Sequence, residues 1–121
     1  MSPVEIFVYG TLKRGGANHG QMAGQEFVAE ATTKAIYRLY ALDEYPGMVP
    51  AAEGQGRSIP GEIWKVDVAG LARLDAFEGV PEGIYAQAEV ALEAPNDRPG
   101  IKTYLYLLPL TARREIERWP V

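Results

Sequence analysis

Short hydrophobic runs, separated by glycine, proline and polar residues, dominate this chain and predict a protein built mainly from β-strands. The first run, residues 4–9, is apolar on both faces and predicts a buried strand. Residues 84–93 alternate apolar and polar side chains, which predicts a strand with one face in solvent. Further strands are predicted over residues 27–32, 35–42, 58–66 and 101–108, the last pairing with residues 84–93 as a hairpin.

One segment carries the signals of an α-helix, from about residue 68 to residue 78. Asp67 can cap its first turn with a side-chain oxygen. Gly79 suits the left-handed conformation that ends many helices, and Pro81 prevents continuation. The helix is therefore predicted to end at or next to Glu78.

Weaker signals predict two further short helices, one within residues 15–24 with Asn18 as its N-cap and one in the tail after Thr111. Tyr45-Pro46-Gly47 predicts a turn. No repeat or linker divides residues 1–121, so a single domain is predicted. About six strands with two or three short helices predict an α+β fold whose mixed sheet is curved or partly closed.

Composition and charge exclude several classes of function. The net charge of −4 and the scattered basic residues argue against a nucleic-acid surface. The chain has no cysteine and one histidine, which excludes disulfides, thiolate nucleophiles and a metal site built from cysteine or histidine alone. Because no basic leader and no long apolar segment is present, we expect a soluble, cytoplasmic protein without a membrane partner.

The loop after the first strand has the composition of an anion-binding site. Gly10 can bring main-chain N–H groups close to a ligand, and Thr11 adds a hydroxyl donor. Gly10 and Gly15 also have the spacing of a Walker phosphate loop. Gly16 and Ala17, however, stand where that motif needs lysine and serine or threonine. The loop therefore predicts a site for a small anion such as a carboxylate rather than a nucleotide, although its glycine content alone favours an ordinary tight turn.

Glu78 is the candidate for acid–base chemistry. Leu71 and Leu74 lie seven and four residues before it, so a continuing helix places the carboxylate on an apolar stripe that points inward. Burial and the negative end of the helix dipole both raise the pKa of such a carboxyl group. The alternative is a solvated group at a frayed helix end, and Glu82 in the loop beyond is a second candidate.

Five motifs lie in order over nearly the whole chain. They are Phe7-Val8-Tyr9-Gly10-Thr11-Leu12-Lys13-Arg14-Gly15 with Asn18-His19 after it, Tyr45-Pro46-Gly47, Gly61-Glu62-Ile63-Trp64, Leu74-Asp75-Ala76-Phe77-Glu78-Gly79, and Tyr85. Together they resemble the gamma-glutamylcyclotransferase family, and within it most of all the small gamma-glutamylamine cyclotransferase branch. The most specific part is Tyr-Gly-Thr-Leu after a first strand, combined with the distant Phe-Glu-Gly.

The resemblance implies a curved, barrel-like mixed sheet with peripheral helices around a cavity. It also implies an active enzyme, which cyclises a gamma-glutamyl group to 5-oxoproline and releases an amine or amino acid. Glu78 is implied to be the proton acceptor. The implied substrate-binding residues are Tyr9, Gly10, Thr11 and Leu12 in the loop, with Tyr85 and Tyr45 in the pocket. His19 is assigned a capping or packing role.

This chemistry needs one group that acts first as base and then as acid. The substrate's α-ammonium loses a proton before its nitrogen attacks the γ-carbonyl, and the departing amine gains one. Glu78 can do both, while the N–H groups of residues 10–12 hold the α-carboxylate or face the developing oxyanion. The expected partner is a small gamma-glutamyl substrate, without metal or organic cofactor.

Two other functions use the same residues. One is a non-catalytic protein on the same fold that binds a small carboxylate through the loop, and the other is hydrolysis of the gamma-glutamyl amide by water. Five aromatic residues are assigned to core packing, with a role beside the leaving group as the alternative, namely Tyr37, Tyr40, Trp64, Tyr104 and Tyr106. The leaving group and the oligomeric state stay open.

Overall fold

The computed structural model describes residues 3–120, which form two β-sheets, one α-helix and one short 3₁₀ helix. The strands and helix are β1 (Val4–Val8), β2 (Glu26–Thr32), β3 (Tyr37–Ala41), β4 (Pro46–Pro50), β5 (Pro60–Val66), α1 (Val68–Phe77), β6 (Tyr85–Glu89), β7 (Lys102–Tyr106) and β8 (Arg114–Ile116). The α+β class is confirmed. In place of one barrel-like sheet of about six strands, the described residues form eight strands in two sheets that do not close.

The larger sheet has five strands in the order β2-β5-β1-β7-β6. It is mixed as predicted, since β1 pairs antiparallel with β5 and parallel with β7. β1 is therefore the central strand, and its Ile6 and Phe7 side chains are fully buried. This explains its apolar character on both faces, because a central strand is covered from both sides.

Consecutive residues of β1 point into two different hydrophobic clusters. Ile6 and Val8 pack in one cluster with Leu74 of α1, so the helix covers that face of the larger sheet. Phe7 packs on the other face in a cluster that includes Leu39 of the smaller sheet. The end of β1, where the anion-binding loop begins, is thus held from both sides.

The smaller sheet, in the order β4-β3-β8, contains the main error of the sequence prediction. The tail forms strand β8 in place of a helix, with Ile116 paired with Leu39. Ala112 has a φ of 62°, which is incompatible with a right-handed helix at that point. Ile116 is 6% exposed, so pairing with β3 buries the apolar residue that suggested the helix.

The signals that predicted α1 are confirmed at both ends. The Gly70 N–H donates to the Asp67 side chain at 2.7 Å, which caps the first turn. Glu78 is the C-cap residue, and Gly79 follows with a φ of 72°. These local signals place Glu78 at the last turn of a helix whose Leu74 is fully buried.

Three smaller predictions need correction. Pro46 and Gly47 belong to β4, and the turn lies just before them, with the Leu42 N–H donating to the Tyr45 carbonyl at 3.0 Å. The helix predicted within residues 15–24 is reduced to the 3₁₀ turn His19–Met22. The β6–β7 hairpin is confirmed, but β6 ends four residues earlier than predicted. Within residues 3–120, no helix is long and apolar enough to cross a bilayer.

Candidate active site

A cavity of about 260 Å³ lies where the loop after β1 meets the end of α1. All seven candidate residues line it, namely Tyr9, Gly10, Thr11, Leu12, Tyr45, Glu78 and Tyr85. The remaining lining residues are Phe7, Val8, Asn18, Pro46, Phe77, Ile84 and Tyr104. The fold therefore brings the loop and the helix end together around one space, although they are distant in the chain.

Gly10 is a glycine because the loop passes directly against β4. A Cβ atom on this residue would lie 2.7 Å from Pro46 Cγ and 2.8 Å from Pro46 Cδ, closer than real Cβ contacts. Its backbone does not use the left-handed region. Close packing, rather than the unusual backbone angles considered from the sequence, is therefore what requires glycine at this position.

The loop presents several hydrogen-bond donors to the cavity. Within residues 3–120, no acceptor takes a hydrogen bond from the N–H groups of Gly10, Thr11 or Leu12. The Asn18 side-chain amide donates to Thr11 Oγ1 at 3.0 Å, which leaves the hydroxyl proton of Thr11 for a ligand. Such a cluster of free N–H groups suits a carboxylate or an oxyanion.

Glu62 on β5 anchors this loop from behind. Its carboxylate accepts hydrogen bonds from the Arg14 N–H and the Arg14 Nε at 3.0 Å each, and from Trp64 Nε1 at 3.1 Å. Burial by itself raises the pKa of Glu62, but these donors and the Arg14 charge together hold it below its usual value. Glu62 belongs to the motif Gly61-Glu62-Ile63-Trp64, but the sequence did not predict a role for it. A charged residue inside an apolar strand was the available signal.

Two further contacts fix the loop. His19 Nδ1 lies 2.9 Å from the Leu12 carbonyl oxygen, and the histidine ring packs edge-on against Trp64 with centroids 5.3 Å apart. The packing role predicted for His19 is therefore confirmed. Lys13 Nζ donates to the Trp119 carbonyl at 2.6 Å, which ties the tail to the loop.

Glu78 enters the cavity from the end of α1. No donor within residues 3–120 binds its carboxylate, and burial raises its pKa to about 7. Leu74, one turn earlier, is fully buried, as the apolar stripe predicted. The prediction of a raised pKa is confirmed, and burial is its cause.

Tyr9 and Tyr85 stand close to this carboxylate with their hydroxyl protons already donated elsewhere. Tyr9 donates to the Tyr104 carbonyl at 2.6 Å, and Tyr85 donates to the Pro46 carbonyl at 2.8 Å. Burial first, and the Glu78 charge in addition, raise the pKa of both phenols above the usual value. Both side chains are therefore neutral, and neither phenol proton is donated to Glu78.

The mouth and the wall of the cavity are aromatic. Tyr45 is 40% exposed and its ring lies 6.5 Å from that of Tyr85, and Phe77, which also lines the cavity, is 41% exposed. Tyr104 is buried as predicted for a core residue, but it also lines the cavity, which is the alternative to core packing that the sequence left open. Tyr104 reaches the cavity because its strand, β7, lies beside β1.

The chemistry available to this cavity is the binding of an anionic group and the transfer of a proton. Among the described residues that line it, Glu78 is the one charged side chain. No cluster of three or more histidine, cysteine, aspartate or glutamate residues that could hold a metal occurs between residues 3 and 120. Free N–H groups and a carboxyl group with a pKa near neutrality, both among the residues that line the cavity, can bind and deprotonate an amino acid group.

Comparisons with known proteins identify the family to which this chain is similar. The family model described as gamma-glutamyl cyclotransferase, AIG2-like, matches residues 6–120. The chain is 43% identical over 76 residues to a putative gamma-glutamylcyclotransferase of Vibrio cholerae, a match that covers 63% of each chain. It is 35% identical over 97 residues to gamma-glutamylaminecyclotransferase A of Danio rerio, covering 74% of this chain and 59% of that protein.

These two relatives are longer than the segment they share with this chain, since the matches span less than two thirds of their own lengths. Among solved structures, an AIG2-like protein of Mus musculus superposes with a TM-score of 0.72 at 31% identity. That superposition covers 87% of this chain and 78% of the mouse chain.

Proposed function

This chain belongs to the gamma-glutamyl cyclotransferase, AIG2-like family, and from that membership we propose that it is an enzyme that converts a gamma-glutamyl amine to 5-oxoproline and releases the amine. The observation that carries the proposal is that one cavity is lined both by residues 10–12, whose N–H groups have no acceptor within the described residues, and by Glu78. The first can hold the substrate and the second can move its protons.

The proposed reaction uses Glu78 twice. Glu78 takes a proton from the α-ammonium, and the freed nitrogen attacks the γ-carbonyl carbon to form the ring C–N bond. The protonated Glu78 then gives that proton to the departing nitrogen as its bond to the carbonyl carbon breaks. The ring nitrogen loses its second proton to solvent water, and the released amine takes one up from water to become an ammonium ion. A pKa of about 7 suits both steps, because near neutrality neither protonation state is rare.

Binding supplies the rest of the rate. The nucleophile and the electrophile belong to one molecule, so a cavity that folds the glutamyl chain gains an effective molarity of about 10⁵ to 10⁸ M. In our proposal the N–H groups of Gly10, Thr11 and Leu12 bind the α-carboxylate or the developing oxyanion. Tyr85 and Tyr45 form the wall beside the glutamyl chain and the leaving group.

Two observations support an amine as the leaving group. Among the described residues that line the cavity, none carries a positive charge, so a carboxylate on the leaving group has no cationic partner there. The relative from Danio rerio is also named as a gamma-glutamylaminecyclotransferase. A Glu78 that is exposed and remote from the loop would have favoured the non-catalytic alternative, whereas Glu78 and the loop line the same cavity.

The test is product analysis on a substrate panel. The purified protein is incubated with gamma-glutamyl amines, gamma-glutamyl amino acids and glutathione, and both 5-oxoproline and free glutamate are measured. We expect 5-oxoproline from the amines and little from the acidic leaving groups. Glutamate as the product would replace cyclisation with hydrolysis, and the absence of both products across the panel would contradict an enzymatic function.

A further inference from the structure

Asp75 is a half-buried carboxylate one turn before Glu78 that belongs to no function proposed so far. Its Oδ1 accepts a hydrogen bond from the Tyr104 hydroxyl at 2.7 Å and another from Gln87 Nε2 at 2.6 Å. Asp75 is not among the described residues that line the cavity, whereas Tyr104 is. The aspartate therefore reaches the cavity only through the tyrosine.

The hydrogen bond to Asp75 holds the Tyr104 hydroxyl against the last turn of α1, where Glu78 lies. Residues three apart on a helix have Cβ atoms about 5–6 Å apart, so a group bound to Asp75 is next to Glu78. The pKa of Tyr104 is raised by burial first, then by Asp75, and further by the Glu78 charge. Without Asp75, this hydroxyl would have Glu78 as a neighbouring carboxylate acceptor.

The other titratable groups around Glu78 have different partners. Tyr9, which follows β1, and Tyr85 on β6 donate their protons to main-chain carbonyls. Tyr45, which precedes β4, stands exposed at the mouth. Among the described residues, Tyr104 is the cavity tyrosine whose hydroxyl donates to a side chain, that of Asp75. A substitution of Asp75 can therefore release this proton.

We propose that Asp75 is a positioning residue, which takes the hydroxyl proton of Tyr104 and so keeps that hydroxyl from donating to Glu78. A donated hydrogen bond stabilises the charged carboxylate, which makes it a weaker base. By withholding this donor, Asp75 keeps Glu78 a stronger base at neutral pH. The effect of Asp75 on the rate of turnover rests on the proposed function. The position of the Tyr104 hydroxyl proton does not depend on it.

The test is a pH titration of Glu78 in the ligand-free protein, in which the ¹³C chemical shift of its side-chain carboxyl group reports the protonation state. Asp75→Ala should lower the measured pKa of Glu78 by about one unit, because Tyr104 becomes free to donate to it. Asp75→Asn is the matched control. It removes the charge but keeps an oxygen that accepts from Tyr104, so the value should stay near that of the wild type.

Tyr104→Phe separates the hydrogen bond from the charge. In the Asp75→Ala/Tyr104→Phe variant no hydroxyl can turn toward Glu78, and the pKa should return toward the wild-type value. Tyr104→Phe alone should leave it nearly unchanged. A rise in this single variant would mean that Tyr104 already donates to Glu78 and would overturn the proposal, even if the alanine variant does not fold.

Two other results would also overturn it. If the pKa of Glu78 falls equally in Asp75→Ala and Asp75→Asn, the effect comes from the lost charge of Asp75. If the fall persists in the double variant, it does not involve the Tyr104 hydroxyl. In the cyclisation assay, the acid limb of kcat/KM against pH should move to lower pH in Asp75→Ala only. Because the titration needs no turnover, failure of the proposed reaction would appear in the substrate panel and not here.

Discussion

Glu62 and Glu78 are both largely buried glutamates beside the loop that follows β1, yet their pKa values move in opposite directions. Glu62 accepts three hydrogen bonds from Arg14 and Trp64, and its pKa is held below the usual range. Glu78 has no donor within residues 3–120, and burial raises its pKa to about 7. The two carboxylates therefore differ in their hydrogen-bond donors rather than in burial. Glu62, which has donors, stabilises the loop, whereas Glu78, which has none among the described residues, has the pKa that proton transfer needs.

The difference is built into the surroundings of each group. Arg14 faces Glu62 and is itself held over the Phe27 ring, with its guanidinium carbon 3.7 Å from the ring centroid. Around Glu78, by contrast, the phenols of Tyr9, Tyr85 and Tyr104 donate their protons to other acceptors. A cavity that contains hydroxyl groups can therefore still leave a carboxylate without partners.

The largest expected effect is the loss of activity in Glu78→Gln. The amide cannot take or return a proton, so the rate of 5-oxoproline release should fall by about 10² to 10⁴. Glu82→Gln is the matched control, because Glu82 is exposed in the loop beyond the helix and should leave the rate unchanged. Equal rates in wild type and Glu78→Gln would remove Glu78 from the mechanism and end the contrast with Glu62.

The same substitution should increase stability at high pH. A folded pKa of about 7 exceeds the unfolded value near 4.5, so the wild-type protein loses stability as the pH rises between these values, by up to about 3 kcal/mol. Glu78→Gln should remove this loss. Chemical denaturation at pH 8.5 and pH 4 measures it: the variant should be the more stable protein at pH 8.5, with no difference at pH 4.

Glu62→Gln should act in the opposite sense. Its amide NH₂ faces Arg14 as a second donor, so the variant should lose about 2 kcal/mol of unfolding free energy at pH 7. Because the folded pKa of Glu62 is lowered, its stabilisation is present above the unfolded value and disappears as the pH falls through the folded one. The difference from wild type should therefore shrink in acid.

The control for this prediction is Glu30→Gln. Glu30 is the residue of β2 that pairs in register with Glu62, but it is exposed. It should change the unfolding free energy by less than about 0.5 kcal/mol. A cost for Glu30→Gln as large as that for Glu62→Gln would mean that strand position, and not the contact with Arg14, determines stability.

Gly10→Ala should have the smallest effect on stability, and it tests the loop that lies between the two glutamates. The added methyl group would press on Pro46, so the loop must shift, at a cost of about 1 to 2 kcal/mol. We expect kcat/KM to fall while the titration of Glu78 stays unchanged. Gly20→Ala is the control, since no atom lies within 4 Å of the added carbon.

Much of the fold and the site could be predicted because their signals are local. Asp67 and Gly79 mark the two ends of α1, and the apolar run before Gly10 marks a central strand. The tail was mispredicted because Ile116 suits either a helix or a strand, and its pairing with Leu39 decides between them. No local rule contains that pairing.

The sequence by itself determined which segments form the loop and the helix end, and that Glu78 would lie on a buried stripe, because capping and periodicity act over a few residues. Only the tertiary structure decided how each carboxylate is solvated. The donors come from afar, since Arg14 lies 48 residues from Glu62 and Tyr104 lies 29 residues from Asp75. The pKa of each carboxylate depends on those distant neighbours. The order of strands in the sheet brings these neighbours together, and the sequence pattern does not predict that order.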